Sequence, residues 1–359
     1  MTRQPWLLTR KHLPSVGGMQ RLSFELVSGL RALRPVKVLA WGRGQWGLPL
    51  FLIWAFARMV PALLRGRVSV VHLGDPVLAV LAWLPRLFRV PVAVTVHGLD
   101  ITWPFRPYQA YLQMFFWGRV QADVCISRHV RELVLAAGVP AKQVLVIPVG
   151  VGESGPPGAE PELEARLRGA PLVMLSLGRL VERKGLHWLL REVAPDFFRT
   201  HPDAVLVIAG DGPMRPALES IVASSSLASR VLLVGAVSEL RKAWLLDRCD
   251  LVLMPNIEVP GDAEGFGLVA LEAGCAGRWV VVANLEGLRD AVAEDGNGVL
   301  LPAADAAAWI AALDQAYADP GLLRRKGAEA RDFVRQNYSW PSVVGKYDCL
   351  LRMLEADGS

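Results

Sequence analysis

Paired cysteines are missing from this sequence of 359 residues. Its four cysteines, Cys125, Cys249, Cys275 and Cys349, are scattered and form no C-x-x-C, which excludes a zinc ribbon or a redox dithiol. They read instead as packing residues. Long apolar runs are missing too: Leu48 to Ala57 stops at Arg58, and Val77 to Leu84 lies between Pro76 and Pro85. Both are well short of the ~18 to 20 residues that span a bilayer. The opening "MTRQPWLLTRKHL" has only a short apolar stretch, whereas a secretory signal needs ~7 to 15 apolar residues and a cleavage site. A cytoplasmic protein is expected. Neither sign of charge dominates, since the formal net charge is +5. Arg set among Trp and Phe in the first third points to an anionic partner, but nothing marks nucleic acid.

What is present is apolar and periodic. Hydrophobic residues make up 52% of the chain, above the usual ~45 to 50% and suited to parallel strands covered on both faces. The length fits two domains at roughly 100 to 200 residues each. Strands are predicted at Trp6 to Leu8, Val36 to Ala40, Val68 to His72, Val92 to Val96, Val124 to Ile126 and Val144 to Ile147, with amphipathic segments between. After the Gly/Pro-rich stretch from Pro148 to Glu162, the alternation restarts at Leu172 to Leu177, Ala204 to Ala209, Val231 to Val234, Leu251 to Met254, Val280 to Ala283 and Val299 to Leu301. Such alternation predicts an α/β fold of two facing Rossmann-like domains, with ligands at the carboxyl ends of the strands in a cleft.

Three motifs fall at those ends. In "LSLGRLVERKGLHWLL", Arg179 and Lys184 follow a strand and precede a helix starting near Lys184, where cations and free N–H groups favour phosphate. An isolated R-x4-K could equally be two solvated surface cations. "IAGDGP", Ile208 to Pro213, is a strand and a tight turn and is weak evidence alone. The third motif, "AEGFGLVALEAGCAG" from Ala263, sets Glu264 before a helix and Glu272 within it. A carboxylate inside Leu-Val-Ala-Leu-Glu-Ala-Gly is costly unless hydrogen-bonded, and the adjacent hydroxyls of a ribose would serve. A helix-end charge for Glu264 and a surface position for Glu272 are the bland alternatives.

Together and in this order, the residues resemble family 4 of the retaining glycosyltransferases, of GT-B architecture. The resemblance spans nearly the whole chain. It rests on E-x7-E (Glu264, Glu272) and on G-R-x4-K-G (Gly178, Arg179, Lys184, Gly185). Also matching are "VGGMQR" (Val16 to Arg21), "VTVHGLD" (Val94 to Asp100), "ADVCIS" (Ala122 to Ser127) and the terminal "NYSWPSVVGKYDCLL" (Asn337 to Leu351). The resemblance implies an acceptor domain over 1–155, a nucleotide-sugar domain over 165–336, and a C-terminal helix over 337–359 that crosses back to the first domain. Arg179 and Lys184 would pair with the diphosphate. Glu264, with the main chain of Gly265, Phe266, Gly267 and Leu268, would hold the sugar. Glu272 would hold the ribose, and the base would sit near Val237. His97 and the Gly17-Gly18 loop would approach the donor from the first domain. There is no D-x-D in the sequence, so no metal and no cofactor is expected, and the two cations take the metal's place at the leaving group. "EGLRD" (Glu286 to Asp290) departs from the family's usual Gly-Gly and glutamate, and "VGVG" (Val149 to Gly152) from its usual hinge.

The acceptor end is less defined. Trp41 to Arg67 and Thr102 to Arg119 interleave Trp and Phe with Arg. That pattern fits a glycan or lipid-linked acceptor at an anionic membrane, and fits equally two core-covering helices with Arg at their ends. The competing functions are a nucleotide-sugar 2-epimerase of the same architecture and a non-catalytic nucleotide-sugar-binding protein.

Overall fold

Among the described residues the Val-, Leu- and Ile-rich runs form twelve strands in two all-parallel sheets of six. A computed structural model describes residues 3–12, 18–42, 45–153, 155–294 and 296–358. The chain divides into unit 1, Met1–Gly150 with Ser339–Ser359, and unit 2, Val151–Tyr338.

In unit 1 the strands are β1 (Gln4–Thr9), β2 (Lys37–Ala40), β3 (Val68–Leu73), β4 (Val92–Val96), β5 (Ala122–Cys125) and β6 (Val144–Val146). Their order in the sheet is β2-β1-β3-β4-β5-β6. In unit 2 they are β7 (Val173–Leu177), β8 (Val205–Ala209), β9 (Val231–Gly235), β10 (Leu251–Met254), β11 (Trp279–Ala283) and β12 (Gly298–Leu301). Their order is β12-β11-β10-β7-β8-β9. This is the Rossmann order, and its direction reverses between β7 and β10, so the loops after these two strands border the crevice where ligands of such sheets bind. On one face of the unit 2 sheet Met174, Leu206, Ile208, Leu253 and Val281 share a core with Phe197, Leu218 and Trp309, and on the other face Leu175, Val207, Val252 and Val280 are buried as well.

Sequence and structure differ mainly in helices. The helix expected near Lys184 starts at Leu186 and passes through a wide turn over Leu189–Val193 before continuing as Ala194–Thr200. Pro195 has no N–H to continue a regular ladder there.

The helix Trp340–Asp357 belongs to unit 1. It packs on the helix Gly18–Leu33, where a Cβ on Gly29 would stand 2.6 Å from Val344 Cγ2. Tyr347 is buried, and its hydroxyl lies 3.0 Å from Thr95 Oγ1, which lies 2.9 Å from His72 Nε2. Burial, together with the charge of His97, lowers the pKa of His72 to about 4. A neutral imidazole therefore joins this chain of hydrogen bonds. Arg34 anchors the same helix through Asp348 at 2.8 Å and Glu355 at 2.7 Å.

The helix Leu48–Leu64 does two things. It buries Phe51, Ala55, Met59, Ala62 and Leu63 while leaving Leu50, Ile53, Trp54, Phe56 and Leu64 exposed. It covers the core and also presents an apolar outer face. Cys125, Cys249 and Cys275 are buried thiols, whereas Cys349 is exposed. Among the described residues, no helix is long and apolar enough to cross a membrane.

Candidate functional site

Backbone contacts bring together the loops after β7 and β10. Gly185 has φ +65, and a Cβ there would stand 1.8 Å from the Pro255 carbonyl oxygen, so only glycine allows this approach. The Ile257 N–H donates to the Arg183 carbonyl at 3.0 Å. The result sets the Glu182–Lys184 turn against the segment that leads to Glu264.

Lys184 Nζ donates to Glu264 Oε2 at 2.5 Å. Arg183 Nη2 lies 3.6 Å from the same oxygen, and Arg183 Nε lies 3.6 Å from Asp262 Oδ1. Asn256 Nδ2 donates to Glu264 Oε2 at 3.4 Å. The Glu264 N–H donates to Glu286 Oε2. Burial acts to raise the pKa of Glu264, but Lys184 and Arg183 outweigh it and hold the group below the usual carboxylate range. Glu264 is thus an ionised carboxylate fixed from both ends. Arg179, by contrast, is exposed and takes part in no ion pair among the described residues.

Glu272 is not at the surface. It is 8% exposed, in the second turn of the helix Leu268–Cys275, and this overturns the surface alternative. Its Oε1 accepts from Lys242 Nζ at 2.9 Å, and Lys242 also lies 2.9 Å from Glu239 Oε2. Burial acts to lower the pKa of Lys242, but Glu272 and Glu239 together raise it. Lys242 stands on the helix Glu239–Arg248, which Ser238 caps by accepting from the Arg241 N–H at 3.2 Å. That helix follows directly on the half-buried Val237 in the loop after β9.

Arg183, Lys242, Asn256 and Glu286 are site residues that sequence reasoning missed. One signal was available for Lys242: a carboxylate buried in an apolar helix needs a cation or donors. Glu286 is held in the left-handed region at φ 44. Next to it, a Cβ on Gly287 would stand 2.2 Å from the Gly265 carbonyl oxygen. The "EGLRD" departure thus forms the wall behind Glu264 and Gly265.

Unit 2 gathers Lys184, Glu264, Gly265, Phe266, Gly267 and Leu268 at one sheet end, with Glu272 a turn further into the helix. Gly267, at φ +81, starts that helix. Phe266 is buried. His97 belongs to unit 1, at the carboxyl end of β4. Its main-chain N–H donates to Asp100, and its Nε2 donates to the Gly74 carbonyl at 3.0 Å. Burial raises the pKa of Asp100 to about 6 against the opposing charge and N–H of His97. Gly18 begins the first helix of unit 1 and is open to solvent, while Gly17 lies outside the described residues.

The fold and this site define a GT-B glycosyltransferase. Solved structures share the architecture. HepE of Anabaena in complex with UDP superposes with a TM-score of 0.73 at 18% identity, covering 98% of this chain and 100% of that one. Sucrose-phosphate synthase from Thermosynechococcus elongatus does so with a TM-score of 0.75 at 21% identity, covering 99% and 100%. Residues 163–333 match the family described as glycosyl transferases group 1, and residues 8–150 match the glycosyl transferase 4-like domain. The chain belongs to this glycosyltransferase family. Among curated relatives, the glycogen synthase of Mycobacterium tuberculosis is 27% identical over 290 residues, 77% of this chain and 67% of that protein. The GDP-mannose-dependent alpha-(1-6)-phosphatidylinositol monomannoside mannosyltransferase of Mycolicibacterium smegmatis is 26% identical over 256 residues, 69% and 66%. The matches span about two thirds of these relatives' length.

Proposed function

We propose that this protein transfers a sugar from a nucleoside-diphosphate sugar to a glycan or lipid-linked acceptor, with retention of configuration and without a metal. The observation that carries this reading is the Lys184–Glu264 pair at the switch point of the unit 2 sheet. An ammonium has three N–H donors. With one on Glu264, Lys184 can direct the others at a diphosphate while Glu264 keeps acceptor capacity for sugar hydroxyls. Lys184 and Arg179 stabilise the charge that grows on the leaving diphosphate as the sugar–phosphate bond breaks. The acceptor hydroxyl attacks on the leaving-group face, and its proton passes to a diphosphate oxygen. The ribose takes Glu272, beside Lys242. The assignments of His97 and Gly18 to the donor rest on the family resemblance alone. The exposed apolar faces of unit 1, with their arginines, support acceptors presented at an anionic membrane.

The test is incubation with radiolabelled UDP- and GDP-sugars and a membrane extract, with and without EDTA, followed by analysis of the product's anomeric configuration. Transfer that survives EDTA and retains configuration is expected. Interconversion of the free nucleotide sugar, or binding without turnover, would defeat the reading.

A further inference from the structure

Every strand of the unit 1 sheet starts at or near a cation: Arg3 before β1, Lys37 opening β2, Arg67 before β3, Arg89 before β4, Arg119 before β5 and Lys142 before β6. Because the sheet is wholly parallel, these six start positions lie along one edge, opposite the carboxyl ends that carry Gly74 and His97. All six are exposed, and none is in an ion pair among the described residues. Carboxylates are scarce along this stretch. Between Trp41 and Gln121 the sequence holds only Asp75 and Asp100. Asp75 is buried against Arg10 at 2.9 Å, and Asp100 accepts from the His97 main chain.

Apolar side chains share this edge. The turn Arg86-Leu87-Phe88-Arg89 sets two exposed hydrophobic residues between two exposed arginines, with Leu87 61% exposed. Leu64, 69% exposed, precedes Arg65 and Arg67 at the end of the helix Leu48–Leu64. Beside the turn is a cavity of about 560 Å³, whose lining includes Arg86, Arg89, Pro91, Lys142, Leu354 and Asp357. Three cations there face one carboxylate.

We infer that the amino edge of the unit 1 sheet docks on an anionic lipid bilayer, with a lipid phosphate in the Arg86–Arg89–Lys142 cavity and Leu87 and Phe88 in the interface. Acidic protein or nucleic acid would satisfy the charges, and the Leu and Phe interleaved with them favour an anionic bilayer, whose interface takes up cations and apolar side chains together. This goes beyond the proposed function, because the docking edge lies opposite the carboxyl ends of the strands, and it is independent of the donor-site reading.

The experiment is co-sedimentation of the full chain with phosphatidylglycerol/phosphatidylcholine vesicles and with phosphatidylcholine alone. UDP and GDP thermal shifts report the fold and the donor site separately. The parent should bind only the anionic vesicles, less so at high salt. At roughly fivefold per cation, Arg86→Ala with Arg89→Ala and Lys142→Ala should weaken that binding on the order of 100-fold and leave the nucleotide shift intact. Leu87→Ser with Phe88→Ser should weaken it as well. Equal sedimentation with both vesicle types would overturn the proposal, as would a triple variant that binds like the parent. If the Leu87/Phe88 variant still binds vesicles fully and the parent binds single-stranded RNA as tightly, the edge is a general polyanion surface and the lipid assignment fails.

Discussion

Lys242 Nζ and Glu272 Oε1 stand 2.9 Å apart, on two helices of unit 2, in a pair largely withdrawn from water. Removing Lys242 takes one counter-charge from the buried Glu272, and breaking such a pair typically costs about 3 kcal/mol or more. Lys242→Met should therefore lower the melting temperature by roughly 6 °C or more, at about 2 °C per kcal/mol in a domain of this size. Differential scanning calorimetry checks this, and an unchanged transition would mean that the pair contributes nothing.

Glu272→Ala should act on ligand affinity. A hydrogen bond to a charged group is worth about 1.5 to 3 kcal/mol, so titration calorimetry with UDP or GDP should show at least ~10-fold weaker binding. Undiminished affinity would rule out the ribose contact.

Lys184→Ala should reduce turnover by at least ~10-fold, since losing one stabiliser of developing charge typically costs about 2.7 to 4 kcal/mol. It should also change the pH response. The depressed pKa of Glu264 gives stability that is present above the unfolded carboxylate value and lost as pH falls through the folded one. Without Lys184, burial acts with less opposition and the loss should begin at higher pH. Melting curves of both proteins between pH 4 and pH 7, as about the range of carboxylate titration, would show whether it does.

Asp123 has the opposite sign. It is 1% exposed, and neither carboxylate oxygen has a hydrogen-bond partner. Burial raises its pKa from 3.8 to about 7. Its proton therefore contributes stability that is complete below the unfolded value and lost as pH rises through about 7. Asp123→Asn, neutral throughout, should gain on the parent by up to about 4 kcal/mol at pH ~8 and by less than about half of that at pH ~5. A gain that does not depend on pH would show that Asp123 does not titrate in this range.

Gly185→Ala should separate the two loops that hold Lys184 and Glu264. Its Cβ would meet the Pro255 carbonyl at a backbone angle of φ +65, which costs about 1 to 2 kcal/mol before the clash is counted. Both the melting temperature and nucleotide-sugar affinity should fall. A variant with lower stability but full affinity would show that the loops need not be joined for binding.

Much of this was legible in order and spacing. Short β-branched runs separated by amphipathic segments gave all twelve strands close to their observed bounds, because parallel strands buried on both faces read as near-continuous apolar runs. Glu264 and Glu272 stood out as carboxylates in apolar surroundings. Their partners did not stand out: Lys242 is separated from Glu272 by 30 positions and Lys184 from Glu264 by 80. Only folding joins them, and cations are common on helix surfaces. Glu286 looked like a departure from a pattern, and its role depends on a left-handed backbone that the residue type does not announce.

The helix Trp340–Asp357 gives unit 1 a core built from segments on either side of unit 2, whereas unit 2 is a single continuous segment. During synthesis, unit 2 can fold as soon as Tyr338 has emerged, while unit 1 still lacks the Tyr347 side chain that fills its interior and bonds Thr95. The half made first is finished last. The usual order, in which the leading domain folds before the trailing one, does not suit a unit 1 whose core includes a helix that follows unit 2 in the sequence.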